Sequence, residues 1–124
     1  MSGTVKRVLV IDSNASDYQM AQGILGYAGY TLSSCADLTG IAQAITVYAP
    51  DVILIDMAFP SRSFFSLMRE IKTLTASLNI PVIAVHKERS DANKQIALTL
   101  GASDFIGKPY IFNELLESVQ RAVK

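Results

Sequence analysis

Residues 50–60 read Pro-Asp-Val-Ile-Leu-Ile-Asp-Met-Ala-Phe-Pro. Within them Val52–Ile55 is continuously apolar and mostly β-branched, opened after a proline and closed by Asp56. A strand without polar alternation is buried on both faces, as in a parallel sheet covered by helices. The stretch therefore predicts a central strand that delivers Asp56 at its carboxyl end.

The same pattern repeats on either side. Toward the N-terminus, Arg7–Ile11 (Arg-Val-Leu-Val-Ile) is a second apolar run, ended by Asp12, Ser13 and Asn14, which are turn and helix-capping residues. Tyr18, Ala21, Leu25 and Ala28, with Met20 and Ile24 beside them, then follow a helical period, and Gly29 is a natural stop. Tyr30–Ser34 is a shorter and less apolar strand, as an edge strand would be. Leu38, Ile41, Ala42 and Ile45 form the next helical stripe, closed before Pro50. Toward the C-terminus, Phe64, Leu67, Met68, Ile71 and Leu74 give a third helix, and Pro81–Val85 a fourth strand. Ser90 reads as the cap of a helix reaching Leu100 and ended by Gly101. Asp104–Gly107 is a short fifth strand, and Phe112, Leu115, Leu116, Val119, Ala122 and Val123 stripe a last helix.

Five strand–helix units in succession imply an α/β fold, a doubly wound five-stranded parallel sheet with helices on both faces. Apolar first, third and fourth strands belong in the middle and the weak second strand at an edge. The order 2-1-3-4-5 satisfies both demands. Residues 1–124 are read as one domain, a length able to bury an adequate core without cross-links.

Composition narrows the partners. Eleven basic and eleven acidic side chains give no net charge, which argues against direct nucleic-acid binding and against a membrane-surface role. Cys35 is the only cysteine, so neither an intrachain disulfide nor a multi-cysteine metal site can form. No apolar run approaches a membrane span, and the N-terminal residues lack a signal-peptide pattern; a cytoplasmic protein is expected.

In such sheets ligands bind beyond the carboxyl ends of the strands, where the strand order reverses. That point lies between the strands ending in Asp12 and Asp56, next to the end of the fifth strand and Lys108. Either aspartate alone reads equally well as a cap or turn residue. Together they form a pair of repelling carboxylates that needs a cation. Lys108 supplies such charge permanently, and an oxygen-seeking ion such as Mg²⁺ reversibly.

At these residues the chain resembles the receiver domain of bacterial response regulators, a flavodoxin-like (βα)5 family. The likeness is carried by Val-Leu-Val-Ile-Asp at 8–12, the 50–60 stretch, Ile-Pro-Val-Ile-Ala-Val at 80–85 and Gly-Ala-Ser-Asp-Phe-Ile-Gly-Lys-Pro-Tyr at 101–110. The resemblance implies a signalling switch in a two-component phosphorelay rather than an enzyme, with a sensor histidine kinase or phosphotransfer protein upstream and an output domain or protein downstream. Asp56 would be the phosphoacceptor. Asp12, Asp56 and the backbone carbonyl of Ala58 would hold Mg²⁺, and Lys108 would pair first with Asp56 and then with the phosphoryl group. The resemblance also implies a cis peptide before Pro109, and it places Phe105 at an aromatic position that moves on activation.

The chain departs from that pattern in one direction. Ser13 stands where the family has a second metal-binding acid, and a hydroxyl replaces a carboxylate poorly on Mg²⁺. His86 stands where a Thr or Ser hydroxyl contacts the phosphoryl oxygen, followed by Lys87 in place of a small residue. Phe64 replaces a glycine of the loop after Pro60. One negative charge is lost and positive charge is gained, so Lys87 or a protonated His86 is a candidate substitute for metal. Ser13 also suits a helix cap, His86 a solvent-facing position and Lys87 a solvated loop. Two readings follow: a receiver phosphorylated on Asp56 through a weakened Mg²⁺-dependent site, or a pseudo-receiver that binds partners independently of phosphorylation. A flavin carrier or small enzyme is disfavoured, because the turn after the first strand has no glycines and two acids, a poor phosphate cradle.

Overall fold

The computed structural model describes residues 6–37, 39–76 and 78–123. Five strands, β1 (Arg7–Ile11), β2 (Thr31–Cys35), β3 (Val52–Asp56), β4 (Val82–His86) and β5 (Asp104–Gly107), alternate with five helices. The helices are α1 (Ala15–Tyr27), α2 (Ile41–Tyr48), α3 (Phe64–Thr75), α4 (Asp91–Thr99) and α5 (Phe112–Val123). All strand pairs are parallel and the order is β2-β1-β3-β4-β5, as the apolar runs predict.

Period-2 alternation along each strand divides the core into two layers. Val8, Val10, Val52, Leu54, Ile83, Val85 and Ile106 point to one face, where Ala21, Ile24 and Leu25 of α1 and Leu115 and Val119 of α5 cover them. Leu9, Ile11, Ile53, Ile55, Val82 and Ala84 point to the other, under α2, α3 and Ala97 of α4. The three central strands are buried on both faces, whereas β2 is half-exposed at its edge.

Three helices start on side-chain caps. Asn14, Ser63 and Ser90 each accept the backbone N–H three residues on, at 3.0–3.1 Å. For α1 the capping residue is Asn14 and not Ser13, which stays exposed. Gly29 and Gly101, just past α1 and α4, have φ of +94° and +107°, a backbone that a side chain would strain.

The register departs from the expected boundaries by one residue at several places. β2 is Thr31–Cys35 rather than Tyr30–Ser34, and β4 is Val82–His86 rather than Pro81–Val85. Pro81 has no N–H for the ladder, and only its carbonyl pairs, accepting from Ile53 at 3.0 Å. β3 extends through Asp56. Four residues of the predicted helical stripes face solvent: Met20, Ala28, Ala42 and Phe112. On α2 the inward positions are instead Ile41, Ala44, Ile45 and Tyr48, which follow the helical period from Ile41. Leu38 lies outside the described residues.

Candidate functional site

Register brings the sequence-distant candidates to one edge of the sheet. Ile11 lies opposite Ile55, so Asp12 and Asp56 end neighbouring strands. His86 lies opposite Gly107, and the Lys108 N–H donates to the His86 carbonyl at 2.9 Å. The peptide between Lys108 and Pro109 is cis.

The Lys108 side chain runs back across the strand ends and is only 9% exposed. Its Nζ donates to Asp12 Oδ2 at 2.7 Å, to Asp17 Oδ2 at 2.8 Å and to Asp56 Oδ2 at 3.3 Å. Asp12 is buried, and its other oxygen accepts the Asn14 N–H at 2.9 Å. The free oxygen of Asp56 accepts the Ala58 N–H at 2.9 Å. Each strand-end aspartate is therefore fixed by an Asx turn at one oxygen and by the ammonium at the other.

Protonation follows from the sharing of one cation. Burial pushes the Asp12 carboxyl above its ordinary value, against the opposing pull of Lys108 and the Asn14 N–H. Burial alone would lower Lys108, but hydrogen bonds to Asp12 and Asp17 and the field of the carboxylates raise it well above an ordinary lysine. One ammonium serves three acids, so the lysine gains from all of them while Asp12 has only a third share of it and the Asn14 N–H to offset its burial.

Above this cluster opens a cleft of about 400 Å³, lined among others by Ser13, Asp17, Asp56, Ala58, Lys87 and Lys108. Asp12 lies beneath it, reached through Lys108. Lys87 stands at the rim, exposed, and pairs with no carboxylate among the described residues. His86 is half-buried and is not part of the lining. Its Nδ1 accepts the Glu88 N–H at 2.8 Å and lies 3.4 Å from the Asn93 side-chain amide. The ring is thus tied into the loop between β4 and α4. Phe105 is half-buried against the core layer under α2 and α3.

Asp17 is the second of the two acids in the turn after β1, a residue that no motif of the sequence singles out for a role and that the fold brings onto Lys108. The available signal was the capping pattern. With Asn14 as cap, Asp17 falls in the first turn of α1, above the strand ends.

The donors around the cleft are hard oxygens: carboxylates of Asp12 and Asp56, the Ala58 carbonyl and the Ser13 hydroxyl. Three acids against Lys108 and the rim residue Lys87 still leave excess negative charge, so donor type and charge fit Mg²⁺. Among the described residues no three His, Cys, Asp or Glu side chains form a ready metal cage. Lys108 occupies the point on which the acids converge.

The doubly wound parallel sheet thus gathers two strand-end aspartates and a lysine into an acidic pocket at its switch point. The chain matches the family described as response regulator receiver domain over residues 8–120. It is 30% identical over 122 residues to the phosphate regulon transcriptional regulatory protein PhoB of Pseudomonas aeruginosa, covering 96% of this chain and 52% of that protein. It is 26% identical to the transcriptional regulatory protein GltR of the same organism, covering 100% of this chain and 51% of that protein. The chain thus spans about half the length of these curated relatives. Among solved structures it superimposes on the chemotaxis protein CheY4 of Vibrio cholerae with a TM-score of 0.85 at 26% identity, covering 96% and 99% of the two chains. It also superimposes on the receiver domain of NtrX from Brucella abortus with a TM-score of 0.83 at 25% identity, covering 94% and 97%.

The chain belongs to the response-regulator receiver family of two-component systems. Receivers are signalling modules that work between histidine kinases and output domains and generally bind Mg²⁺ at the phosphorylation site. Among the described residues no helix is long and apolar enough to cross a membrane.

Proposed function

We propose that residues 1–124 act as one receiver domain that accepts a phosphoryl group on Asp56. The observation that carries this reading is the setting of Asp56. It stands at the end of β3 with its side chain 14% exposed in the cleft, one oxygen held by the Ala58 N–H and the other 3.3 Å from Lys108. A carboxylate oxygen of Asp56 attacks the phosphorus of a phosphohistidine on a kinase or phosphotransfer partner. The P–O bond forms, the P–N bond breaks, and the imidazole leaves and takes up a proton. Lys108 then faces the new phosphoryl oxygens. The modification turns one negative charge into about −1.5 to −2 together with strong acceptor oxygens, which the ammonium is placed to compensate.

Mg²⁺ would be held by Asp12, Asp56 and the Ala58 carbonyl, with Ser13 the weak position, and it would supply neutralisation of the phosphoryl charge. The loss of an acid at Ser13 weakens that site, and Lys87 at the rim adds standing positive charge. A second reading, a pseudo-receiver whose partner binding ignores phosphorylation, is favoured by one observation. His86, at the position where a hydroxyl would report the phosphoryl group, is bonded into its own loop.

Incubation with Mg²⁺ and a small phosphodonor, followed by intact-mass measurement, separates the two. A phosphoryl mass gain that disappears in Asp56→Asn supports the first reading. A folded protein that gains no mass supports the second.

A further inference from the structure

The geometry points to Asp17 as a positioning residue that competes with the phosphoryl group for Lys108 and so restrains loading of Asp56. This inference rests on the phosphoacceptor reading of Asp56. An ammonium has three N–H donors, and in this chain all three are committed, to Asp12, Asp17 and Asp56. The donor on Asp56, at 3.3 Å the longest of the three, passes to a phosphoryl group formed there, and drawing the ammonium closer to that group pulls it away from a partner it now holds more tightly.

The three partners are not equal. Asp12 has a side chain 2% exposed, so releasing it would leave an uncompensated charge in the interior. Asp56 is itself the residue being modified. Asp17 has a side chain 29% exposed and sits in the first turn of α1, where water and the helix dipole both support a freed carboxylate. Asp17 is therefore the partner that lets go.

Two effects then act in the same direction. While bonded, Asp17 holds the ammonium toward α1, at 2.8 Å against 3.3 Å for Asp56. Asp17 also adds a negative charge to the cleft that an incoming phosphoryl group must enter. Neutralising it removes both obstacles and leaves Asp12, Asp56 and Lys108 in place. The exchange further ties loading to α1, since the released carboxylate belongs to that helix.

The test is the affinity for beryllofluoride at saturating Mg²⁺ in the wild type, Asp17→Asn and Asp17→Ala, with Asp56→Asn as the blank. Both Asp17 variants are expected to bind roughly tenfold more tightly, the order of one charge-assisted hydrogen bond in competition. The Lys108 ammonium resonance is a second readout that general stability would not move. On beryllofluoride saturation the wild-type signal should shift toward that of Asp17→Asn. Equal or weaker binding by both variants beside a wild type that binds would overturn the role of Asp17 and leave Asp56 as the acceptor. Absence of binding in all folded proteins would overturn the acceptor reading, and this inference with it.

Discussion

The Lys108 ammonium lies 2.7 Å from Oδ2 of Asp12, a contact between residues 96 apart in the chain. It ties the end of β5 to the end of β1 across the intervening strands, at a place where both side chains are almost wholly removed from solvent. The ion pair is therefore as much a part of the fold as of the cleft.

Lys108→Met should expose that dual role. Removing one partner of a buried pair typically costs about 3–5 kcal/mol, reduced where the remaining acid can take a proton. Asp12 is already pushed upward by burial and would rise further without the ammonium. Its folded-state value then exceeds the unfolded value near 3.8, so the variant loses stability as pH rises through that interval. Urea unfolding should show a loss of about 2–4 kcal/mol at pH 7 and a smaller one near pH 4. A loss independent of pH would show that packing, not charge, is what Lys108 contributes.

Asp104 predicts the opposite pH dependence. Burial pushes its carboxyl up, but bonds from Ser118 Oγ at 2.6 Å, the Phe105 N–H at 2.8 Å and Arg121 at 3.0 Å together hold it below the ordinary value. A depressed carboxylate contributes stability above the unfolded value of 3.8, and that stability is lost as pH falls through the folded value. Ser118→Ala should cost about 1–2 kcal/mol at pH 7 and progressively less as pH falls from 3.8 through the depressed folded value, below which both states are protonated. Thermal unfolding across pH 3–7 reads this directly.

Capping of α1 separates two adjacent residues. Asn14→Ala removes the bond to the Asp17 N–H and should cost about 1 kcal/mol, whereas Ser13→Ala should be within ~0.5 kcal/mol of the wild type. Equal effects of the two substitutions in urea unfolding would reassign the cap.

Gly107 leaves room for the Arg89 side chain. A Cβ at Gly107 would collide with the Arg89 side chain, whose guanidinium pairs with Glu114 at 3.0 Å and the Pro109 carbonyl at 3.3 Å. Gly107→Ala should cost up to about 1 kcal/mol, as the exposed Arg89 side chain moves aside and gives up its pair with Glu114. In an Arg89→Ala background most of that cost should vanish, so a double-mutant cycle measures the coupling. Additive effects would place the strain in the β5 backbone instead.

Much of this is legible in the sequence. The apolar runs at Arg7–Ile11 and Val52–Ile55 fixed which strands lie in the middle, because a strand buried on two faces cannot alternate. The weaker run around Thr31 identified the edge. Asp12, Asp56 and Lys108 were legible as one site because topology alone places those strand ends together. Boundaries were less so: Pro81 reads as part of an apolar run, yet its missing N–H starts the ladder one residue later.

What sequence could not supply was direction and distance around the cleft. Neutral composition and the strand pattern determine an α/β domain with acids at its switch point. Only tertiary packing decides that Lys108 reaches Asp12 and Asp17 more closely than Asp56. Only packing decides that His86 turns into the β4–α4 loop, and that Phe112 faces out to meet Tyr27, with ring centroids 5.9 Å apart. The physical reason is one of range. Periodicity records which side of an element is buried, a local property repeated along the chain. The partner chosen by a charged or polar side chain depends on which of several competing groups folding brings within about 3 Å.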